Sequence, residues 1–583
     1  MILQELARYY ERKASDPETA LAPEGFEEKE IPFVLVIKKD GRLVQIEDTR
    51  SVEGKKKRAR SFRVPQGVKK TSGVAANLLW DTAEYVLGID TKGKPDRVAL
   101  QHAAFMARLA ELPLDDAGAC AVRAFLASVP LAQLDQSPSW EEICTMNPNL
   151  SFQLAGDTEL VCERDAIVTE LRTNAANEAE EAPGATRGVC LISGQNAEIQ
   201  RLHPAIKGVW GAQSSGANIV SFNLRAFESY GKEQKQGENA PVSKHAAFAY
   251  TTALNHLLGK DSTQRIQVGD ASTVFWASES SFLEDSFASL FGEPPKDDPD
   301  RAIRAVKELY ESVKQGSLNT SDSTTQFFVL GLAPNAARIS IRFWQTGTVR
   351  EFSQPIVEHF GDIAIDHAPY EQPYLSLFRL LASTALQDKA ENIPPNLGGA
   401  TMRAILSGLP YPETLLMNAI RRIRAEREVN YPRAALIKAC INRKTRRDIP
   451  ALKEELHVSL DLSNSNVGYR LGRLFAALEK VQGEASPGLN ATIRDRFYGA
   501  ASSTPITVFS NLLKLSNHHL SKIENRGRAV NLDKLIQEIF DTISGDEGFT
   551  AHLSIADQGR FAIGYYHQKQ AFYAKKATEG EQA

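Results

Sequence analysis

The hydrophobic pattern of the chain begins with a helical period. Five apolar positions near the N-terminus fall on one helix face: Ile2, Leu3, Leu6, Tyr9 and Tyr10. This spacing predicts an amphipathic helix. Residues 33–37 and 43–46 are rich in β-branched and aliphatic side chains on either side of an Asp-Gly turn, so we predict a β-hairpin there. From residue 81 to residue 129 the pattern is again helical.

The middle of the chain mixes both periods. A helix is predicted over residues 242–258, and strands over residues 219–222 and 272–277. Residues 327–332 and 337–344 predict a second hairpin across the sequence APNA. The acidic, proline-bearing stretch 279–300 is typical of an exposed linker.

Beyond residue 375 the pattern is almost wholly helical. Helix-spaced apolar residues follow Pro412, and further sets occur around residues 467–478, 504–523 and 532–540. We therefore predict an α+β protein, with a mixed α/β N-terminal and central region followed by a C-terminal helical bundle. Four regions are predicted: an N-terminal region 1–135, a central α+β region 136–390, an arginine-rich helical connector 391–450 and the bundle 451–583.

Composition adds the class of protein. The chain has 583 residues, of which 42% are hydrophobic and 24% are charged, and its formal net charge is -4. No apolar run is long enough to cross a bilayer, and the N-terminus has no signal-peptide pattern, so we expect a soluble cytoplasmic protein without a membrane partner. The five cysteines are scattered and form no CxxC pair, which favours buried structural thiols in a reducing compartment.

Residues 55–70, KKKRARSFRVPQGVKK, contain eight basic residues and no acidic one. We call this segment the basic island, and we expect it to form a loop between a small sheet and an amphipathic helix that follows residues 71–73. A positive island on a negative protein favours a phosphate backbone as partner, although a solvated loop is the alternative. The predicted DNA-binding residues are Lys55, Lys56, Lys57, Arg58, Arg60, Arg63, Lys69, Lys70, Thr71, Ser72 and Asn77.

Three further sets are candidates for contact with nucleic acid or with another subunit. Residues 421–447 hold ten basic and two acidic residues, a density that suits phosphate binding but also fits a solvated amphipathic helix. A block framed by glycines, which let another backbone approach closely, contains a tryptophan and small polar residues, and a packed core turn is its alternative. The candidates are Trp210, Gln213, Ser214 and Ser215 in this block, Arg421, Arg424, Arg443 and Lys444 in the second basic set, and Arg470, Arg473, Arg494 and Arg496 in the bundle.

The sequence contains no credible catalytic constellation. Neither a Walker A loop nor GxSxG is present. The nearest approach to a ligand cluster is His359, Asp362, Asp366 and His367, but a strand at residues 363–365 would send the aspartates and the histidines to opposite faces. The adjacent His518 and His519 diverge on a helix. We therefore predict no catalytic residue, no metal and no cofactor.

Five long segments carry a family resemblance: RVPQGVKKTSGVAANLLWDTAEYVLG, LHPAIKGVWGAQSSGANIVSFNLRAFESYG, ENAPVSKHAAFAYTTALN, FFVLGLAPNAARISIRFW and NATIRDRFYGAASSTPITVF. In order and extent they resemble the large subunit of the type I-C CRISPR surveillance complex, Cascade, an antiviral ribonucleoprotein. The resemblance covers nearly the whole chain.

The resemblance implies a non-catalytic subunit of a complex that carries crRNA. Its N-terminal region would read the protospacer-adjacent motif (PAM) on double-stranded DNA and help to open the duplex, while crRNA pairing reads the remaining sequence. Its helical C-terminal region would resemble the small Cascade subunit and hold DNA strands in the R-loop. The implied partners are backbone subunits, a crRNA-end-binding subunit, small subunits, target DNA with its displaced strand, and a helicase-nuclease that cuts. The alternatives are an architectural subunit and, from the scattered Asp, Glu and His residues, a metal-dependent nuclease.

Overall fold

The computed structural model describes residues 1–16, 21–53, 56–68, 73–110, 112, 115–127, 129–171, 173, 186–232, 235–314, 324–543 and 549–573. Contacts divide the chain into two compact units. Unit 1 comprises Met1–Pro204 and Val220–His256, and unit 2 comprises Ala205–Ile219 and Leu257–Ala583. Each unit has its own hydrophobic core. The four regions expected from the sequence remain a prediction.

The strands of unit 1 form one four-stranded sheet and three two-stranded ribbons. They are β1 (Phe26–Glu30), β2 (Phe33–Ile37), β3 (Leu43–Asp48), β4 (Ser51–Glu53), β5 (Lys56–Arg58), β6 (Ser61–Pro65), β7 (Trp80–Thr82), β8 (Asn149–Leu154), β9 (Arg187–Val189) and β10 (Asn196–Glu198). The sheet has the order β3-β2-β8-β7, with β2 and β8 parallel. The ribbons pair β1 with β6, β4 with β5 and β9 with β10.

The helices of unit 1 are α1 (Ile2–Ala14), α2 (Ala83–Leu87), α3 (Pro95–Leu109), α4 (Ala117–Ala127), α5 (Leu131–Leu134), α6 (Trp140–Met146) and α7 (Lys244–Leu257), the last residue of which belongs to unit 2. The core lies where α3 and α4 cover the four-stranded sheet. Phe105 of α3 and Phe125 of α4 both pack against Phe152 of β8, with ring centroids 6.5 and 6.0 Å away. All five residues of β2 are buried, as a central strand requires.

Unit 2 begins with an antiparallel sheet of four strands in sequence order: β11 (Arg265–Val268), β12 (Ala271–Ala277), β13 (Gln326–Asn335) and β14 (Arg338–Thr348). Its helices are α8 (Phe282–Phe291), α9 (Arg301–Lys314), α10 (Val349–Ile363), α11 (Leu377–Ala382), α12 (Leu397–Ser407), α13 (Glu413–Glu426), α14 (Tyr431–Asp448), α15 (Val467–Ala485), α16 (Ile493–Ala501), α17 (Phe509–Lys522), α18 (Arg526–Asp541) and α19 (Ile555–Tyr573). Phe275 and Phe327 of the sheet pack with Phe287 of α8.

The centre of the helical part is α19, whose middle, residues 561–568, is buried on every side. Its Gly564 meets the backbone of α15, and its Gly559 meets Ile437 of α14. Two glycines of α15, Gly468 and Gly472, complete the close contact with α19. Because none of these positions carries a side chain, the α15 and α19 backbones approach each other directly. None of the helices among the described residues is both long and apolar enough to span a membrane.

The α+β class is confirmed, together with most of the strongly patterned elements. These are the N-terminal helix, the hairpin β2–β3, helix α7, strand β12, the hairpin β13–β14 and the C-terminal helices. The second hairpin turns at Ala336 and Ala337, one step beyond the expected APNA centre, because Asn335 pairs with Arg338. Three of the cysteines are buried as expected, whereas Cys120 is exposed.

Three local predictions were wrong. Residues 219–222 form no strand, and the expected linker 279–300 contains α8, whose Leu283 and Phe287 are fully buried. Ser281 caps that helix by accepting a hydrogen bond from the Glu284 N–H. The expected strand at 363–365 does not form: α10 ends at Ile363 and the next two residues lie beyond it, so His359 and Asp362 are helical and buried.

Candidate nucleic-acid interface

The basic island is built from strands rather than from the expected loop. β5 pairs with β4, and β6 pairs with β1. Val52 of β4 lies opposite Lys57 of β5, and both residues are exposed. The described part of the island therefore contributes to two antiparallel ribbons, β4–β5 and β1–β6, which follow each other along the chain. We call residues 51–53 and 56–65 the basic ribbon. Lys55 lies outside the described residues, and Lys56 is the first residue of β5.

An acidic strand runs beside the ribbon. β1 has the sequence FEEKE, and its register places Glu28 opposite Arg63 and Glu30 opposite Ser61. The Arg58 Nε lies 3.7 Å from a Glu30 carboxylate oxygen. Arg58 and Arg63 are partly buried, whereas Lys57 and Arg60 are exposed, with the Arg60 guanidinium 4.7 Å from the ring centre of Phe62. Lys57 and Arg60 therefore present their positive charge to solvent. The acidic side chains of β1 compensate part of the charge of Arg58 and Arg63.

Arg50 fixes the base of the ribbon. Its Nε donates to Asp48 at 2.7 Å, and its guanidinium also donates to Glu142 of α6 at 2.8 Å. The same guanidinium lies 4.5 Å from the ring centre of Phe33 in β2. Hydrogen bonds from Arg50 lower the pKa of the Glu142 carboxyl below its usual range. Because Arg50 joins the sheet, the ribbon and α6, it holds the ribbon in a defined direction.

The segment after the ribbon differs from its sequence-based assignment. Lys69, Lys70, Thr71 and Ser72 lie outside the described residues. Asn77, predicted to approach bases, is buried: its side-chain oxygen accepts a hydrogen bond from the Val68 N–H at 2.9 Å, and its own N–H donates to Asp81 at 2.9 Å. Asn77 therefore links the backbone at residue 68 to residues 77–81, and its side chain is buried rather than exposed at the surface.

The expected helix after this loop is shorter than the pattern suggested. Leu79 is buried in a left-handed conformation with φ 62°, so a continuous helix cannot run through it. Trp80 starts strand β7, and its indole N–H donates to the Pro65 carbonyl at 2.8 Å. This contact ties the end of the ribbon to the four-stranded sheet.

The glycine-framed block forms an exposed loop in unit 2. A bridge between Ile206 and Ala217 closes it, and the Trp210 N–H donates to Ser272 Oγ of β12 at 2.9 Å. Gly208 has φ +84°, and a Cβ there would lie 2.5 Å from the Leu258 carbonyl oxygen. The Trp210 side chain is 51% exposed, and Gln213, Ser214 and Ser215 are also exposed. The loop is thus presented at the surface, and its contact with another molecule stays a prediction.

The second basic set separates into a surface part and a buried part. Arg421 and Arg424 of α13 are exposed, and Lys444 of α14 is exposed but lies 3.0 Å from Glu413. Arg443 is buried, in contrast to its assignment as a surface contact. Its guanidinium donates to Asp362 at 2.6 Å and to the carbonyls of Ala404 and Leu409 at 2.7 and 3.2 Å.

Two other basic residues of α14, which the sequence analysis did not select, are also buried and have partners inside the protein. Arg433 donates to the Ser383 carbonyl at 2.8 Å, and Lys438 lies 3.0 Å from Glu454. Arg433, Lys438 and Arg443 lie on α14 and are almost fully buried. They bind carbonyls at or just beyond the C-terminal ends of α10, α11 and α12. Much of the basic density of α14 therefore satisfies orphan carbonyl groups inside the protein.

The C-terminal set is also mainly internal. Arg470 donates to the Asn464 carbonyl at 2.9 Å and to the Thr542 carbonyl. Arg473 is buried and donates to Gln568 at 3.2 Å, and burial lowers the pKa of its guanidinium. Arg494 lies 3.9 Å from Glu479 and 3.8 Å from Asp495. Of the four selected arginines only Arg496 is exposed.

Two exposed arginines at the C-terminal end of α13, Arg424 and Arg427, act electrostatically on residues of α16. A hydrogen bond from the Thr492 N–H lowers the pKa of Asp495, and the charge of Arg427 lowers it further. Burial raises the pKa of Tyr498, while the charge of Arg424 opposes this rise. Arg427 was missed as a candidate, although its place in the arginine-rich sequence was a usable signal. We call Arg421, Arg424, Arg427 and Arg496 the arginine face of unit 2.

The histidine and aspartate candidates form no metal site in the described structure. His359 Nδ1 lies 2.7 Å from the Tyr411 hydroxyl, and Asp362 binds Arg443 and Arg446. Burial lowers the pKa of His359 well below its usual value. Across the described residues, no group of three or more His, Cys, Asp or Glu side chains is arranged to hold a metal ion.

Comparison with known proteins gives the family. No curated protein matches the chain. A family model described as CRISPR-associated protein (Cas_Csd1) matches residues 6–573, which is nearly the whole chain. This match agrees with the resemblance to the type I-C Cascade large subunit. The chain therefore belongs to the Cas_Csd1 family of CRISPR-associated proteins.

Proposed function

We propose that this protein is the large subunit of a crRNA-guided type I-C Cascade complex. In that complex it recognises the PAM on double-stranded DNA, aids duplex opening, stabilises the R-loop and supports recruitment of the helicase-nuclease. The observation that carries the proposal is the basic ribbon, an exposed cationic β-ribbon in unit 1 of a CRISPR-associated protein whose net charge is -4.

The geometry of the ribbon suits duplex DNA. The major groove admits a two-stranded β-ribbon, and Lys or Arg side chains along such a ribbon reach phosphates on the groove walls. Lys57 and Arg60 are exposed for this contact, and Arg50 holds the base of the ribbon. Cationic contact with phosphates supplies affinity without sequence preference.

PAM discrimination needs side chains that reach base edges. We assign this role to the segment that contains Lys69, Lys70, Thr71 and Ser72, because Lys can donate to guanine edges and small hydroxyl side chains can reach either purine. Asn77 accepts a hydrogen bond from the N–H of Val68, the residue that precedes this segment in the chain. Its role in the proposal is therefore to position the loop.

We assign strand holding in the R-loop to the arginine face of unit 2. Arg421, Arg424 and Arg496 are exposed on α13 and α16, and the charges of Arg424 and Arg427 act on Tyr498 and Asp495 of α16. A cationic surface of this kind tracks single strands by phosphate contact. Arg470, Arg473, Arg494 and Arg443 have partners inside the protein and are not part of the proposed surface.

We further propose that the chain has no nuclease activity of its own, acts in the cytoplasm, and works with crRNA, backbone subunits, the crRNA-end-binding subunit and small subunits. Incubation of the purified chain with labelled DNA and RNA, with and without Mg²⁺ or Mn²⁺, tests the first point. Metal-dependent cleavage that persists through purification would contradict it.

The main experiment measures DNA binding by the complex reconstituted with crRNA, on targets that differ only in the PAM. One variant carries Lys57→Ala and Arg60→Ala in the ribbon, and a second carries Lys69→Ala and Lys70→Ala. The control carries Lys38→Ala and Lys39→Ala, an exposed lysine pair at the β2–β3 turn of the same unit. Assembly of each complex is checked by size-exclusion chromatography before binding is measured.

The two variants should fail in different ways. Loss of the ribbon cations should weaken binding to every target alike and reduce the salt dependence by about one unit of slope for each lost phosphate contact. Loss of Lys69 and Lys70 should reduce the ratio between correct and incorrect PAMs. If both variants bind like the Lys38 and Lys39 control, the architectural alternative, in which the chain only bridges subunits, is correct.

A further inference from the structure

A second exposed feature of unit 1 lies outside the basic ribbon. Residues 224–232, which we call the aromatic loop, contain a short 3₁₀ turn, Arg225–Phe227, followed by Tyr230. The Tyr230 side chain is 97% exposed, the highest exposure among the large apolar side chains of the described residues. A fully exposed tyrosine presents a flat aromatic face together with a polar hydroxyl, which suits contact with another molecule.

The loop is held in place by its neighbours. The Ser229 N–H donates to the Asn239 side chain at 3.2 Å, and the Asn239 amide donates to the Lys232 carbonyl at 3.2 Å. The Lys232 ammonium donates to the Glu238 carbonyl at 2.8 Å. The loop therefore presents Tyr230 from a hydrogen-bonded frame that fixes its two sides.

The backbone at the tip is also unusual. Tyr230 has φ 55° and Gly231 has φ 69°, so two consecutive residues are left-handed. Glycine adopts this conformation freely, but for tyrosine it is strained. Strain at an exposed aromatic residue fits a functional position, where the ring must point in a given direction.

Two exposed arginines belong to the aromatic loop and its frame. Arg225 is exposed within the loop, and Arg201 is exposed on the segment that pairs with the base of the loop, where Arg201 Nε donates to Gln236 at 2.8 Å. The Gly237 N–H donates to the Arg201 carbonyl at 3.1 Å, which fixes that pairing. An exposed aromatic ring on a loop that also carries exposed arginines supplies the two kinds of group that bind unpaired nucleic acid, a stacking surface for bases and cations for phosphates.

We propose that the aromatic loop binds single-stranded nucleic acid by stacking an unpaired base on the Tyr230 ring, with Arg225 and Arg201 contacting the flanking phosphates. This site is distinct from PAM recognition and needs no duplex. Base stacking is common to DNA and RNA, so either the displaced DNA strand or an RNA segment can supply the ligand. The arginines favour nucleic acid over an apolar protein surface, because a phosphate backbone supplies the matching negative charge.

The test uses the full-length chain with two fluorescein-labelled probes, a 20-nucleotide oligo(dT) and a 20-nucleotide oligo(U), neither of which can form a duplex or present a PAM. Tyr230→Ala removes the ring, and Tyr230→Phe keeps it while removing the hydroxyl. Tyr370→Ala is the matched control, because Tyr370 is 86% exposed in unit 2. Circular dichroism and thermal unfolding confirm that each variant is folded.

Tyr230→Ala should weaken binding of at least one probe by between about 5-fold and 100-fold, the range measured for loss of one stacked base. Tyr230→Phe and Tyr370→Ala should bind within about 2-fold of the wild type, because the stacking surface is retained. The probe that loses more affinity identifies DNA or RNA as the ligand. In addition, ultraviolet crosslinking of the same probes carrying 5-iodouracil should label the tryptic peptide of residues 226–232, which ends at Lys232.

Unchanged affinity in Tyr230→Ala for both probes would overturn the proposal, as would an equal loss in Tyr230→Phe. Intact oligonucleotide binding combined with failure of Tyr230→Ala to enter the reconstituted complex would show a protein contact instead. Because the probes contain no PAM, these outcomes are independent of the result for the basic ribbon.

Discussion

Asn77 shows how a single polar side chain organises a surface loop. Its side-chain oxygen accepts from the Val68 N–H, and its own N–H donates to Asp81, which is almost fully buried. We predict that Asn77→Ala lowers the free energy of unfolding by about 1 kcal/mol, since the Val68 N–H loses its protein partner. Asn77→Asp, which keeps an acceptor at the same place, should lose less.

The functional effect of Asn77→Ala follows from the same geometry. A loosened loop base should weaken binding of all PAM targets without reversing their order, as measured in the reconstituted complex. A selective loss at one PAM base would instead indicate direct reading by Asn77, in conflict with its burial.

Buried histidines make the folded state sensitive to acid. His567 Nδ1 lies 3.0 Å from the Tyr469 hydroxyl, and burial lowers the pKa of His567 to about 4. Below pH 6.5 the unfolded chain binds a proton at this position and the folded chain does not, so the free energy of unfolding falls as the pH decreases from 6.5 to 4. For one such histidine the expected loss at pH 5 is about 2 kcal/mol.

This loss can be measured by urea unfolding of unit 2 at pH 7 and pH 5. His567→Gln should reduce the difference between the two pH values by about 2 kcal/mol, because the titrating group is gone. His518→Gln, at an exposed position on α17, is the control and should leave the difference unchanged. An undiminished difference in His567→Gln would mean that other groups carry the acid sensitivity.

At the scale of elements, the contact between α15 and α19 depends on glycine. A Cβ at Gly472 would lie 2.0 Å from the Phe561 carbonyl oxygen, and a Cβ at Gly564 would lie 2.0 Å from the Tyr469 carbonyl oxygen. Since both obstacles are backbone atoms, the helices must separate. We predict that Gly472→Ala lowers the free energy of unfolding of unit 2 by about 3 kcal/mol. Thermal or urea unfolding measures this change.

The matched control lies on the same helix. Gly483 of α15 has open space at its Cβ position, so Gly483→Ala should raise stability by about 0.5–1 kcal/mol through helix propensity alone. If Gly472→Ala is as benign as Gly483→Ala, the close approach of the two helices is incorrect.

Helices α13 and α14 divide the arginines between two tasks. Arg443 is buried and donates hydrogen bonds to Asp362 and to helix-end carbonyls, whereas Arg421 is exposed. Arg443→Ala should destabilise unit 2 by about 3–5 kcal/mol, because it leaves a buried carboxylate and carbonyls without that partner. Arg421→Gln should change stability by less than about 0.5 kcal/mol.

Binding should follow the opposite order. A variant with Arg421→Gln, Arg424→Gln and Arg496→Gln should lose affinity for single-stranded DNA at low salt while its unfolding midpoint stays constant. Arg443→Ala, studied at low temperature in the same two assays, should instead lower the unfolding midpoint and retain affinity for single-stranded DNA. Normal strand affinity in the triple variant would remove the arginine face from the proposed R-loop surface.

For the molecule as a whole, the sequence predicted the secondary-structure elements correctly where the local hydrophobic pattern and the tertiary packing agree. The hairpin β2–β3, helix α7 and the helices after residue 375 all combine clear periodicity with suitable turn or cap residues. The prediction was wrong where long-range contacts decide. Leu79 is held left-handed by its surroundings, and α8 forms in an acidic stretch because Phe287 and Phe291 fill the sheet core.

The sequence predicts which segments are basic but not which of their side chains are exposed. Lys57 and Arg421 are exposed, yet the same basic density on α14 is largely internal. No sequence period distinguishes Arg421 from Arg443, since their difference arises from Asp362, 81 residues away from Arg443 along the chain. The role of a buried cation is set by such distant partners.

The two units provide separate cores, and their cysteines report on each core. Cys162 is buried in the core of unit 1, and Cys440 is buried in that of unit 2, where burial raises its pKa to about 12. We predict that brief alkylation in native buffer labels the exposed Cys120 and spares Cys162 and Cys440, because a buried thiol reacts only after its surroundings open.

Increasing urea then distinguishes the units. Mass spectrometry of tryptic peptides should give one labelling midpoint for Cys162 and another for Cys440, since each thiol is released by the opening of its own core. Gly472→Ala should lower the Cys440 midpoint and leave the Cys162 midpoint within error, whereas Gly483→Ala should not lower either one. If Gly472→Ala lowers both midpoints equally, the chain unfolds as one cooperative body, and the division into two energetic units is wrong.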